Sequence, residues 1–149
     1  MKNILILLFS FISLYANIDD FKTATWNMQG SSASSEAKWS ISVVQMFSGA
    51  NGLDVLAIQE AGILPATAQP TGRAFRAFGT QVVVTEHVWN IGTRLRPDLI
   101  FIYYARTDLG GNRVNLALAS RRQADEVFLR PPPTGTLDTV PSMIFNNAC

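Results

Sequence analysis

The segment Asp54-Val55-Leu56-Ala57-Ile58-Gln59-Glu60 narrows the possible folds more than any other. It is too short for a helix and too continuously apolar for a strand with one wet face, so it predicts a β-strand covered on both sides. Upstream, residues 21–27 are rich in aromatic and β-branched side chains and read as another strand, ended by Gly30 and a cluster of serines. Between the two, Ser35 suits an N-cap and Glu36 a first turn, where the helix dipole favours an anion. Trp39, Val43, Met46 and Phe47 recur at helical spacing, and Gly49 is a natural C′ stop. Strand, helix and buried strand together predict a βαβ unit with a right-handed crossover, hence an α/β fold.

Downstream, Pro65, Pro70, Gly72 and Gly79 make 62–80 read as loop. Residues 81–90, 99–106, 113–121 and about 126–129 are four further strand candidates. Asp108-Leu109-Gly110-Gly111 is a turn signal that predicts an antiparallel hairpin between the second and third of them. In the stretch from Arg113, the residues Val114, Leu116 and Leu118 share one face. Arg113, Asn115, Ala117, Ala119 and Arg121 share the other, which should meet solvent or line a site. Pro131-Pro132-Pro133 cannot donate to a ladder, 134–138 is turn-like, and Met143-Ile144-Phe145 reads as the start of another strand. The expectation is a domain that stops short, with an inner sheet face left open and a tendency to aggregate.

Length and composition set the outer limits. A chain of 149 residues, 48% hydrophobic and 15% charged, is globular and of single-domain size. One cysteine, Cys149, excludes an internal disulfide. With one histidine, His87, four-ligand zinc sites of cysteine and histidine are also excluded, as is any mechanism that uses two histidines. Residues 1–16 carry one lysine, then an uncharged run, then Leu14-Tyr15-Ala16, the layout of a secretory signal peptide. The run is too short to span a membrane, so the reading is export, with no transmembrane segment and a mature chain from about Asn17 to residue 149. The net charge of +1 rules out a bulk polycation, but charge is unevenly spread. Lys22 and Lys38 face five acidic residues in 17–72, whereas 73–130 holds nine arginines against five acidic residues. Arginine's planar fork suits phosphate oxygens; an ordinary solvated surface would show the same composition.

Asn27 and Glu60 lie at the C-terminal ends of the first two predicted strands. If those strands are parallel neighbours, an amide and a carboxylate meet at the sheet edge where α/β proteins build ligand sites. One carboxylate, one amide and several waters would suit Mg²⁺. Spacing alone equally allows Glu60 to be a solvated strand end, because the pair is not a specific motif.

The segments Thr23-Ala24-Thr25-Trp26-Asn27-Met28-Gln29-Gly30-Ser31-Ser32, 54–62, Trp89-Asn90-Ile91-Gly92-Thr93-Arg94, Ile102-Tyr103-Tyr104, 112–117 and Ser120-Arg121-Arg122-Gln123-Ala124-Asp125-Glu126 resemble the B-subunit family of the cytolethal distending toxins. That family belongs to the DNase I-like superfamily, and the likeness covers about residues 19–133. The resemblance implies an α/β (α+β) layered sandwich of two mixed β-sheets flanked by helices, present here in part. It implies a secreted, Mg²⁺-dependent nuclease that nicks host-cell DNA in the nucleus, delivered by lectin-like A and C subunits. Some members are described as phosphatidylinositol phosphatases. Residue by residue, it assigns Glu60 to the metal, Asn27 to the metal and phosphate end of the site, and Arg113 to a DNA phosphate.

The family's two catalytic histidines have no counterpart here, and His87 matches neither, so it reads as a structural or surface residue. Arg121 and Arg122 read as solvated surface, and Trp26 and Trp89 as core rather than base-stacking platforms. Three readings follow: the N-terminal part of a genotoxin nuclease, inactive by itself; a degenerate remnant; or a non-catalytic module that binds nucleic acid or toxin partners through arginines.

Overall fold

The computed structural model describes residues 21–30, 35–76, 82–107, 114–130 and 140–144. The signal-peptide stretch 1–16, Arg113 and the turn 108–111 lie outside the described residues. The strands in chain order are β1 (Thr23–Asn27), β2 (Val55–Gln59), β3 (Gln69–Arg76), β4 (Val83–Asn90), β5 (Leu99–Ala105), β6 (Leu116–Ser120), β7 (Glu126–Arg130) and β8 (Val140–Ile144). One continuous helical stretch, α1, links β1 to β2. It is α-helical over Ser35–Ala37, wound as a π-helix over Lys38–Val43, and α-helical again over Val44–Phe47.

Six strands form a mixed sheet in the order β1-β2-β6-β5-β4-β3, and β7-β8 form a second, two-stranded sheet. β1 and β2 are parallel, with Asn27 opposite Gln59, as the strand–helix–strand pattern predicts. Every other pair is antiparallel, including the expected β5–β6 pair, where Tyr103 faces Leu118.

Alternation divides the core between the two faces of the large sheet. On one face Leu56, Ile58, Ile100, Ile102, Ala117 and Ala119 pack under Trp39, Val43 and Phe47 of α1. Trp39 and Trp89 meet edge to face at 6.0 Å between ring centroids. Each large side chain buried there contributes about 1.5–3 kcal/mol. On the other face Val84, Tyr103 and Ala105 pack against Ala124 and Val127, which brings the start of β7 over the sheet. Trp89 and the half-buried Trp26 therefore belong to the core, as expected.

Four local expectations are corrected. First, 69–76 is a strand rather than loop. β3 is the sheet's edge, where Pro70 costs no ladder bond, and a register shift between Pro70 and Ala74 accommodates Gly72 at φ +88°. Second, Ser35 is not the N-cap: it lies inside the first turn, buried, and its hydroxyl accepts the Ile63 N–H at 3.3 Å. Third, of the two uses expected for the face carrying Asn115, exposure to solvent is excluded at Asn115, Ala117 and Ala119, which are all buried.

Fourth, Arg121 is not solvated surface. Its guanidinium donates to the Phe47 carbonyl at the C-terminal end of α1, to the Leu53 carbonyl at 3.2 Å and to Asp98 Oδ1 at 2.8 Å. A cation there also complements the negative end of the helix. Arg121→Ala is expected to lower the unfolding free energy by about 2–3 kcal/mol, since it strips partners from several half-buried acceptors. Arg122→Ala, at an exposed position, should change it by under about 0.5 kcal/mol. Urea unfolding of the two variants checks the contrast.

Candidate metal and phosphate site

Asn27 ends β1 and Glu60 follows the last residue of β2. Because these strands run parallel and in register, their side chains emerge at one edge of the sheet. The Asn27 amide Nδ2 donates to Glu60 Oε1 at 3.0 Å. Its other end is fixed as well, since Asn27 Oδ1 accepts the Gln29 N–H at 2.9 Å. That second bond requires the amide oxygen to face Gln29, which leaves only the NH₂ for the carboxylate. Asn27 thus grips Glu60 and sets the direction of its carboxylate. Beside it, Gln59 Nε2 donates to Thr25 Oγ1 at 2.8 Å on the same edge.

The backbone here is unusual. Gln29 (φ +50°) and Glu60 (φ +49°) are the two non-glycine residues with positive φ among the described residues. Such residues cluster at functional sites, held by their surroundings against the left-handed penalty. The surroundings are specific. Lys38 Nζ donates to the Met28 carbonyl at 2.6 Å and to the Gln29 carbonyl at 3.0 Å. Gly30 N–H donates to the Glu60 carbonyl at 2.8 Å, an approach that only glycine allows. A Cβ at position 30 would stand 2.5 Å from that oxygen and 2.6 Å from the Gly62 nitrogen.

Glu60 lines a groove of about 400 Å³ with Gln59, Thr107, Val114 and Leu116. Among the described residues, no donor meets Glu60 Oε2, and no three His, Cys, Asp or Glu side chains converge on a common point. This donor set fits Mg²⁺, which keeps several waters and is held by one or two carboxylates together with phosphate oxygens. It does not fit a metal that needs an all-protein cage. Arg113 is outside the described residues; its chain neighbour Val114 forms part of the groove wall.

Two further groups lie close by, and the sequence reading missed their roles. The Tyr104 hydroxyl donates to the Gly62 carbonyl at 2.6 Å. The Asn115 amide donates to the Tyr104 hydroxyl at 2.6 Å and to the Gly62 carbonyl at 3.2 Å. The available signal was one amide at an alternating position among alanines, the mark of a buried polar contact rather than of solvent.

His87 stands apart from this edge. Its Nε2 lies 3.0 Å from Thr85 Oγ1, and its Nδ1 is buried with no partner among the described residues. Burial pushes its pKa below the ordinary 6.5, with neighbouring Glu86 pulling the other way. The folded protein therefore favours the neutral ring, and on acidification the unfolded chain takes up the proton first. The stability that His87 contributes is intact above pH 6.5 and is lost progressively as pH falls from there through the lowered pKa of the folded state. His87→Gln is expected to flatten the fall in melting temperature between about pH 7 and pH 5.

Comparison with known proteins agrees with this fold. The model of the endonuclease/exonuclease/phosphatase family matches residues 24–147, and the chain belongs to that family. Within it, the likeness is to the B subunits of the cytolethal distending toxins. The chain is 50% identical over 119 residues to the homolog of that toxin component in Salmonella typhi, covering 80% of this chain and 44% of that protein. It is 49% identical over 134 residues to the same component of the Escherichia coli toxin, covering 89% of this chain and 49% of that one. The crystal structure of the Haemophilus ducreyi cytolethal distending toxin superposes with a TM-score of 0.75 at 50% identity, over 85% of this chain and 48% of the matched one. A mixed sheet with few helices is thus the DNase I-like arrangement expected from the sequence. The chain spans about half the length of the curated relatives it matches. No described helix is long and apolar enough to cross a membrane.

Proposed function

We propose that this chain forms the metal- and phosphate-binding side of a Mg²⁺-dependent phosphodiesterase, the enzymatic subunit of a secreted toxin that nicks host-cell DNA. The observation that carries the reading is the 3.0 Å bond from Asn27 Nδ2 to Glu60 Oε1 at the edge of the parallel β1–β2 pair. Glu60 holds the ion through its carboxylate, and Asn27 keeps that carboxylate in one orientation. Arg113 clamps a non-bridging oxygen of the scissile phosphate, where a guanidinium fork both neutralises charge and fixes geometry. Glu60 would hold Mg²⁺, and the chemistry such an ion would supply there is Lewis-acid polarisation of a phosphoryl oxygen and stabilisation of charge on the leaving oxygen.

Proton transfer needs groups other than these, since Glu60 is committed to the metal and His87 makes its hydrogen bond to Thr85. The reading therefore includes a division of labour: residues 17–149 bind, and a general acid and base from further sequence complete the reaction. Lectin-like A and C subunits deliver the protein, which leaves its cell through the 1–16 signal peptide and acts in the host nucleus.

The test is nicking of supercoiled plasmid by this chain and by a form extended to its relatives' length. The expected result is Mg²⁺-dependent nicking by the extended form, abolished by EDTA, and none by the 149-residue chain. Nicking that persists in EDTA would overturn the assignment. The family's description includes phosphatases, so release of phosphate from a phosphoinositide is measured in parallel. Faster turnover there than on plasmid would replace DNA by an inositol lipid as substrate. Mg²⁺-independent DNA binding that Arg113→Ala abolishes would instead favour a non-catalytic binding module.

A further inference from the structure

We propose that Tyr104 and Asn115 are positioning residues for the Glu60 carboxylate and set the Mg²⁺ affinity of the site, an inference that rests on the metal reading above. Neither touches the carboxylate. Asn115 acts on the Ala61 N–H directly after Glu60 and, with Tyr104, on the Gly62 carbonyl two residues on. Glu60 lies in the left-handed basin at φ +49°, which an L-residue leaves unless its flanking peptides are pinned. On its own peptide, the Glu60 carbonyl accepts Gly30 N–H and the Ala61 N–H donates to the Asn115 carbonyl at 2.7 Å. On the following residue, the Gly62 carbonyl accepts both the Tyr104 hydroxyl and the Asn115 amide. Asn115 thus holds Ala61 with its backbone and Gly62 with its side chain, and the Tyr104 hydroxyl bridges the Asn115 amide and the Gly62 carbonyl.

The clamp is placed where water cannot substitute for it. Asn115 is fully buried, as are Ala61 and Gly62, while Tyr104 reaches in from the partly buried face of β5. No side chain fits at position 62, where a Cβ would meet Ser35 Cβ at 2.8 Å. Removing the phenol oxygen takes one acceptor from the Asn115 amide and one of two donors from the Gly62 carbonyl. The 61–63 backbone that follows Glu60 then gains freedom at its Gly62 end, which lets the left-handed residue relax and its carboxylate swing away from Asn27. Asn115 also stands two residues after Arg113, so the same side chain ties the metal carboxylate's loop to the segment that carries the phosphate-binding arginine.

Tyr104→Phe tests this against Tyr103→Phe. The Tyr103 hydroxyl is also buried and bonded, but to the Ala124 N–H on the other core. Mg²⁺ is titrated into each protein and followed by the ¹⁵N shifts of Ala61 and Gly62, with melting temperatures recorded alongside. The expected result is an affinity about tenfold weaker in Tyr104→Phe, the usual size of an outer-shell effect. Tyr103→Phe should lose stability but keep the wild-type affinity. Equal affinities for wild type and Tyr104→Phe, or equal losses in both variants, would overturn the positioning role and leave the metal site standing. If Mg²⁺ moves neither amide in the wild type, the metal reading itself fails and this inference falls with it. A second readout needs no variant: saturating Mg²⁺ should shift the ring ¹³C signals of Tyr104 and not those of Tyr103, and the absence of that difference counts against the coupling.

Discussion

Arg73→Ala is expected to lower the unfolding free energy by about 3–5 kcal/mol, the range for stripping the partner from a buried charge. Its partner Glu86, on β4, has no solvent exposure, and Arg73 Nη1 donates to Glu86 Oε2 at 2.8 Å. Thr71 Oγ1 at 2.7 Å and Gln123 Nε2 at 2.8 Å occupy the other carboxylate oxygen. The second Arg73 nitrogen donates to the Ala124 carbonyl at 3.0 Å and the Asp125 carbonyl at 3.2 Å. One cation therefore fastens the edge strand β3 to β4 and to the turn that leads into β7. Without it, an anion remains in the core with only neutral donors. The double variant Arg73→Ala with Glu86→Gln should recover part of the loss, because a neutral amide tolerates the missing cation. Urea unfolding of both decides the matter, and a single-variant loss under about 1 kcal/mol would show the pair to be energetically idle.

Glu60→Gln is expected to cut Mg²⁺-dependent plasmid nicking by the extended form about 10²–10³-fold, with the fold intact. A glutamine oxygen still accepts the Asn27 Nδ2 hydrogen bond, so the substitution removes the anion and little else. Glu60→Gly is the sharper comparison. Glycine is at ease at φ +49°, so this variant should melt at the same temperature as the wild type or higher, yet be as inactive as Glu60→Gln. A stable, inactive Glu60→Gly would show that the left-handed residue is kept for its carboxylate. An active one would remove Glu60 from the reaction.

The elements legible in the sequence are those where one rule acts alone. β2 was visible because a short apolar run has few other uses, and α1 because Trp39, Val43 and Phe47 mark one side of a helix. The convergence of Asn27 and Glu60 followed from the parallel pairing of their strands. β3 was hidden because Pro70 and Gly72 stop a central strand but not an edge strand with a bulge, and edge position is a property of the whole sheet. Glu86 and Arg121 were hidden for a similar reason. A charged side chain reads as solvated until partners distant in sequence supply its donors or acceptors, and here they lie on other strands and turns. Asn115 and Tyr104 hold backbone atoms, so residue type shows at most that an amide is buried among alanines and not what it holds.

The assembly of the edge also fixes when it can exist. Asn27 and Glu60 are 33 positions apart, and Asn115 and Gly62 are 53 apart. The β2–β6 pairing that brings Asn115 under the loop is equally remote in sequence. Loop-closure entropy makes such distant pairings the slow part of folding. The Asn27–Glu60 corner is thus among the last things this polypeptide completes, and, on the proposed metal role of Glu60, uptake of a divalent ion would serve in refolding experiments as a clock for the arrival of β6.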